Sequence, residues 1–238
     1  VDSKIVEVYD MTEDKILYEK NSKNITSIAS LTKIATTITA IENIDNIDEK
    51  VTITKEILDT LNPETSMAGL KSGDIVSYRD LLYAILVPSG ADAAHALAIL
   101  SSGNMENFVE KMNTMANKVE LLNTHFSNVT GLEDSKHYSS ADDIRKLLVY
   151  ALKNPLFKQI YTTKIYTLSN GLEVKSTLYK YNISPNDINK ILGSKTGYLE
   201  SLGYCLSSLS NVSGHEILTI NIGAKKVEND YYNIIDNV

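Results

Sequence analysis

The chain has 238 residues, 43% hydrophobic and 22% charged, the make-up of an ordinary globular protein with length enough for a sizeable core. Its formal net charge of −7 argues against nucleic-acid binding, which favours basic surfaces. A single cysteine, Cys205, excludes an intramolecular disulfide scaffold, and no stretch approaches the apolar length of a membrane helix.

Near the start, Ile5, Val6 and Val8, then Ile16, Leu17 and Tyr18, read as two strands joined in a hairpin by the polar run 10–14. Over 30–44 the apolar Ile34, Ile38 and Ile41 recur at helical spacing. The threonines of that segment make burial, rather than propensity, its support. Segments 51–53 and 74–77 read as short strands. A helix over 78–86 ends before Pro88, because the residue before a proline disfavours α geometry. Helices over 92–100, 104–119 and 141–152 follow, the last stopped near Pro155. Asn170-Gly171 between two apolar runs signals a hairpin over 165–174. Strands over 193–196, 204–209 and 216–222, then a helix over 231–235, complete the pattern. Cys205, within Tyr204-Cys205-Leu206, is expected to be a buried, inert thiol. Strands gather at both ends with helices between. The expectation is an α+β fold whose two ends share one antiparallel sheet, with a helical lobe inserted between them.

Ser30 and Lys33 stand three residues apart, on one face of the first predicted helix. A serine hydroxyl is a poor nucleophile at neutral pH and needs an adjacent base. Far downstream, Lys195-Thr196-Gly197 lies on a predicted strand. Taken singly these are a helix cap beside a solvated lysine and an ordinary strand end. In this order they are the skeleton of a lysine-activated acyl-transfer serine enzyme. Ser89, after Pro88, is by itself a turn residue. The histidines His95, His125, His137 and His215 show no metal-ligand pairing, so no metal is expected, and no Gly-x-Ser-x-Gly elbow supports a Ser-His-Asp triad. Glu120-Leu121-Leu122-Asn123 reads as surface charge followed by core leucines, and Tyr231-Tyr232 as packing.

Over nearly its whole length the chain resembles the serine D-Ala-D-Ala carboxypeptidases, the low-molecular-mass penicillin-binding proteins. Leu17-Tyr18-Glu19-Lys20-Asn21 is similar to the family's lead-in, and Ala29 to Thr36 to its Ser-x-x-Lys helix. Pro88-Ser89-Gly90-Ala91-Asp92 occupies the second motif. Asn123-Thr124-His125-Phe126, Gly131-Leu132 and His137-Tyr138-Ser139 are family-like, and Gly193-Ser194-Lys195-Thr196-Gly197-Tyr198 is the third motif. The resemblance implies a β-lactamase/transpeptidase-like fold. It also implies one catalytic domain over 1–238, with a sheet lobe of residues 1–25 and 185–238, a helical lobe of residues 26–184 and no C-terminal β-domain. The implied activity is removal of the terminal D-alanine from peptidoglycan stem peptides, with β-lactams as covalent inhibitors and no cofactor.

The roles it implies are Ser30 as nucleophile and Lys33 as neutral base, its pKa depressed by desolvation and by Lys195. Ser89 would relay a proton, and Lys195 and Thr196 would bind the substrate's terminal carboxylate. Gly197 would let the substrate backbone approach the strand edge, and the backbone N–H groups of Ser30 and Tyr198 would form the oxyanion hole. The location implied is extracytoplasmic, secreted or membrane-associated; no signal peptide precedes Val1, so a trimmed mature domain is expected. One position departs from the family: its second motif is Ser-x-Asn, whereas Ala91 offers no side-chain hydrogen bond. Asp92, one residue on, points elsewhere on a helix. Two alternatives stand beside the carboxypeptidase. One is a β-lactamase, which needs a deacylating glutamate that the sequence does not supply. The other is a catalytically weak penicillin- or peptidoglycan-binding module, motivated by Ala91.

Overall fold

In the computed structural model, residues 1–181 and 183–237 are described. The chain opens with β1 (Ile5–Asp10) and β2 (Lys15–Lys20), joined by a turn in which the Asp10 carboxylate accepts the Thr12 and Glu13 amides. One 3₁₀ turn, Ala29–Leu31, leads into α1 (Thr32–Asn43). A small hairpin, β3 (Lys50–Thr52) with a later partner, encloses α2 (Lys55–Leu58); that partner is β4 (Ile75–Ser77). Next come α3 (Tyr78–Leu86), α4 (Ala91–Ser102), α5 (Met105–Lys118) and α6 (Ala141–Ala151). Ser77, Asn104 and Ser140 cap α3, α5 and α6 by accepting an otherwise unpaired first-turn amide. Then follow α7 (Pro155–Tyr161), the hairpin β5 (Ile165–Thr167) and β6 (Glu173–Lys175), a second 3₁₀ turn over Thr177–Lys180, and α8 (Pro185–Lys190). The chain closes with β7 (Ile191–Leu199), β8 (Gly203–Val212), β9 (His215–Ala224) and α9 (Val227–Ile235).

Among the described residues the main sheet has five strands in the order β2-β1-β9-β8-β7, each neighbouring pair antiparallel. Val8 pairs with Thr219, and Lys195 with Ser207. The two chain ends therefore share one sheet, and the fold is α+β. Every residue of β1 is buried, because both faces are covered. Ile5 joins the large core built on α1, α3 and α4, whereas Val6 and Val8 meet Ile217 and Ile234 on the α9 side. A strand covered on both faces loses the alternation of a half-exposed one. The main core is dense with aliphatic side chains such as Ile34, Leu82, Ile85 and Leu97, all fully buried. Each such burial stabilises the fold by about 1.5–3 kcal/mol.

Several local readings change. Ser30 lies in the 3₁₀ turn before α1, not inside it. Pro155 opens α7 instead of only ending the preceding helix: its missing N–H is harmless at the first helical position, and Asn154 caps the amides of Leu156 and Phe157. Leu121 is buried, but Leu122 is 85% exposed, so only the first of that pair belongs to the core. Cys205 is fully buried and its thiol is pushed up to about 12 by burial, which makes it inert at neutral pH.

Candidate active site

The turn that carries Ser30 is built by local strain held in place from three sides. Ala29 has φ +48°, a left-handed conformation that a side chain disfavours. Its carbonyl accepts a hydrogen bond from Thr32 Oγ1 at 2.8 Å. Thr32 Oγ1 also lies 2.7 Å from His137 Nε2, and the Ser127 amide donates to His137 Nδ1 at 3.0 Å. That donor set assigns the neutral tautomer with its proton on Nε2. Burial keeps it neutral, pulling the His137 pKa down to about 4. The third support is Gly131. A Cβ there would sit 1.8 Å from the Ala29 carbonyl oxygen, so only glycine lets this loop reach the turn.

Lys33 is 2% exposed. Its Nζ donates to Ser30 Oγ at 3.0 Å and to the Thr130 carbonyl at 3.1 Å. Burial pulls the Lys33 ammonium down to about 7, while the Asp92 carboxylate opposes that shift. Desolvation is therefore the leading cause. Lys195 is itself pushed well below the usual lysine range, by burial first and then by the charges of Lys33 and Lys180.

Ser89 sits in the bend between α3 and α4 with φ +68°. The Gly90 amide bonds the Ala84 carbonyl at 2.9 Å and the Ala91 amide bonds the Ser66 carbonyl at 2.8 Å, which fixes the bend on both sides. Lys195 Nζ donates to Ser89 Oγ at 2.8 Å and to the Thr196 carbonyl at 2.6 Å. Lys195 is fully buried; its charge stands behind Ser89 and not on the cleft wall. Thr196 Oγ1 lies 2.7 Å from Thr177 Oγ1. A Cβ on Gly197 would stand 2.9 Å from both the Ser30 amide nitrogen and Ala29 Cβ, so glycine lets β7 lie against the Ser30 turn. Tyr198, 54% exposed, follows on the same strand. β7 is an edge strand of the sheet, so one side of its backbone is open to pairing.

These groups share one cleft of about 460 Å³. Its walls include Ser30, Lys33, Ser89, Thr130, Thr196, Gly197 and Tyr198. A larger hollow of about 700 Å³ lies between the opening hairpin and α9, lined by Leu17, Tyr18 and Ile234 among others, with no nucleophile–base pair. Chemistry, not size, selects the first. Among the described residues no cluster of three metal-ligating side chains occurs.

Asn128 and Thr130 were not singled out by sequence reasoning. Asn128 Oδ1 accepts the Gly131 amide at 2.7 Å and the Thr130 amide at 3.2 Å, which aims the Thr130 carbonyl at Lys33. An asparagine three residues before a glycine was the available signal. Asp92, on α4, turns away from the cleft and accepts the amides of Ala68, Gly69 and Leu70 at 2.8–3.0 Å. It thereby anchors the loop that brings Glu64, Thr65 and Ser66 to the cleft wall. Ala91 is fully buried. Glu120 is exposed and lies away from the cleft.

The sequence profile of the D-alanyl-D-alanine carboxypeptidases matches residues 1–226. The chain belongs to that family. A D-alanyl-D-alanine carboxypeptidase of Streptomyces sp. strain K15 is 33% identical over 181 residues, covering 71% of this chain and 62% of that one. One from Bacillus subtilis is 32% identical over 155 residues, 65% of this chain and 40% of that protein. The match thus spans 40% to 62% of these relatives' length. Among solved structures, the Streptomyces K15 DD-transpeptidase superposes with a TM-score of 0.88 at 28% identity, over 99% of this chain and 96% of that one. Penicillin-binding protein 6B of Escherichia coli gives 0.84 at 28% identity, over 100% and 77%. The family's fold is the one described above.

Proposed function

We propose that this chain is a single catalytic domain of a serine D-alanyl-D-alanine carboxypeptidase, acting outside the cytoplasm on peptidoglycan stem peptides and acylated by β-lactams. The observation that carries the reading is the 3.0 Å contact between Ser30 Oγ and a buried Lys33 whose pKa is pulled down to about 7. A lysine neutral at working pH is a base; an ordinary one is not.

The substrate lies along the open edge of β7. Ser30 Oγ attacks the carbonyl carbon of the penultimate D-alanine as its proton passes to Lys33 Nζ. The oxyanion is held by the backbone N–H groups of Ser30 and Tyr198, which Gly197 keeps adjacent. Each such donor contributes about 3 kcal/mol to the transition state. The proton then travels by way of Ser89 to the leaving nitrogen, the C–N bond breaks, and D-alanine departs. Water, deprotonated by Lys33, hydrolyses the ester and regenerates Ser30. Lys195 Nζ donates to Ser89 Oγ and so fixes the orientation of the hydroxyl at that relay.

Intact-mass spectrometry with benzylpenicillin should give one adduct on the Ser30 peptide, and D-alanine should be released from a D-Ala-D-Ala pentapeptide. An undiminished adduct in Ser30→Ala removes the assignment. A second reading concerns the acceptor. The structural neighbour from Streptomyces K15 is named a DD-transpeptidase. The same acyl-enzyme can pass to an amine instead of water. Products formed with and without an added amine acceptor separate the two.

A further inference from the structure

The oxyanion hole of the proposed reaction uses the Ser30 N–H, and that N–H belongs to the same peptide unit as the Ala29 carbonyl. A trans peptide is planar, with its N–H and C=O pointing opposite ways, so whatever holds the Ala29 oxygen also aims the Ser30 amide. Two donors hold it: the Thr32 amide and, at 2.8 Å, the Thr32 hydroxyl. Thr32 Oγ1 gives its one proton to that bond, so it accepts in its 2.7 Å contact with His137 Nε2. The other ring nitrogen accepts the Ser127 amide at 3.0 Å. The result is a one-way chain of three hydrogen bonds from the Ser127 amide to the Ala29 carbonyl. Its ends fix its direction, because an amide N–H only donates and a carbonyl only accepts.

From this chain, and resting on the acylation of Ser30 proposed above, we infer that His137 is a positioning residue for the oxyanion hole. Through Thr32 Oγ1 it holds the Ala29–Ser30 peptide with its N–H toward the reacting carbonyl oxygen. The need for an outside hold is visible at Ala29, whose φ of +48° is a conformation its own side chain disfavours. The far end of the same peptide faces β7, since a Cβ on Gly197 would stand 2.9 Å from the Ser30 nitrogen. His137 is 2% exposed and Thr32 is fully buried, so the chain is shielded from bulk water. The imidazole is itself held. The Phe126 ring packs against it, 5.8 Å between centroids. Two backbone hydrogen bonds between His125 and Tyr138, both 3.0 Å, tie together the neighbours of these rings. From α5, the Asn113 side chain accepts the Phe126 amide at 2.9 Å and donates to the Phe126 carbonyl at 2.8 Å. Donation into the Ala29 oxygen also polarises the peptide, which makes the Ser30 N–H a stronger donor. His137 stands off the cleft wall and acts through one hydroxyl of a residue 105 positions away.

The test is the pre-steady-state reaction with benzylpenicillin, followed over a range of concentrations and well below the unfolding temperature of each variant. This separates the dissociation constant of the first complex from the limiting rate of acylation. His137→Leu should lower the limiting rate about 10- to 100-fold, the range for a misaimed catalytic group, and leave the dissociation constant unchanged. The infrared band of the acyl-enzyme's ester carbonyl should move to higher frequency, because weaker donors leave that C=O bond stiffer. Thr32→Val should reproduce both changes, and adding His137→Leu to it should cost no more, as for two links of one chain. His137→Gln keeps a donor toward Thr32 and Thr32→Ser keeps the hydroxyl, so each should restore most of the rate. If His137→Leu does not fold, the two Thr32 variants decide alone. An unchanged limiting rate and carbonyl band in folded His137→Leu or Thr32→Val, or losses that add, overturn the inference alone. So does a loss in the conservative variants equal to that in the disruptive ones. No penicillin adduct on the wild-type protein overturns the acylation reading and the inference together.

Discussion

At the scale of single residues, the site turns on where two lysines lose their water. Lys33 is neutral above about 7 because burial disfavours its charged form. Acylation of Ser30 should therefore rise with pH through about 7, measured as the second-order rate of penicillin adduct formation. Lys33→Arg should lower that rate by about three orders of magnitude or more, since guanidinium stays protonated. A wild-type rate in that variant would falsify the base assignment. Asp92 supplies the opposing influence, its negative charge favouring the Lys33 ammonium. Asp92→Asn removes that charge and keeps one of the two oxygens that accept the 68–70 amides. The sign follows directly: the ammonium is favoured less, so the midpoint of the acylation profile should move to lower pH. A midpoint that stays put or rises would show that Asp92 is felt only through the loop it anchors.

At the scale of elements, the turn that carries Ser30 is positioned by its neighbours and not by its own sequence. Ala29 and Ser89 both hold φ above zero, at a cost of about 1–3 kcal/mol each, which the surrounding contacts offset. Gly197 is the closest point between β7 and the turn. Gly197→Ala must push the strand or the turn by several tenths of an ångström, and it disturbs the spacing between the Ser30 and Tyr198 amides. We expect acylation to fall about 10²-fold with a smaller loss of stability, because misplacing a catalytic donor costs more than relaxing an edge strand. Equal acylation rates at full occupancy of the folded state would mean that the two amides do not form the oxyanion hole. The helix–strand pattern itself was legible: the boundaries of α3 and the β5–β6 hairpin follow from Pro88 and Asn170-Gly171. The short α2 and α8, at four and six residues, carry too little periodicity to read.

For the molecule as a whole, the decisive contacts join residues far apart in the chain. Glu7 of β1 is fully buried and is paired with Arg145 of α6, which also bonds Asp142 at 2.6 Å. Burial raises the Glu7 pKa above its ordinary value of 4.5, and Arg145 offsets part of that rise. Arg145→Met leaves the carboxylate unpaired inside the protein and should cost about 3–5 kcal/mol in denaturant unfolding at pH 7. The penalty is charge-dependent. With its folded pKa raised, Glu7 is tolerated best when protonated, so the variant should recover stability as pH falls toward 4.5 and lose it again as pH rises. A loss independent of pH would assign the effect to the contact of the Arg145 guanidinium with the face of the Tyr9 ring instead. At the other end, Asp230 of α9 accepts the Asp2 and Ser3 amides at 2.5 and 2.6 Å, clasping the chain's start to its finish. Asp230→Ala should lower stability by about 1–3 kcal/mol while the Ser30 acylation rate per folded molecule is unchanged. A slower rate would link this distant clasp to the cleft.

The amino-acid sequence by itself determined the periodic helices, the hairpins and the three motif segments, because those depend on neighbours a few residues away. It also specified that Ser30 and Lys33 meet, since a helical turn makes residues three apart adjacent. What it left open was everything that depends on which distant surfaces become dry. That β1 pairs with β9 across more than two hundred residues, that Lys195 is sealed behind Ser89, that Asp92 serves a loop and not the cleft, and that the Thr130 carbonyl meets Lys33, follow only from tertiary packing. Burial shifts a lysine's charge by several kcal/mol, but burial is a property of the assembled core, not of any local string of residues. Serine and lysine were written in the motif; the low-dielectric enclosure that pulls that lysine's pKa down to about 7 was written by the fold.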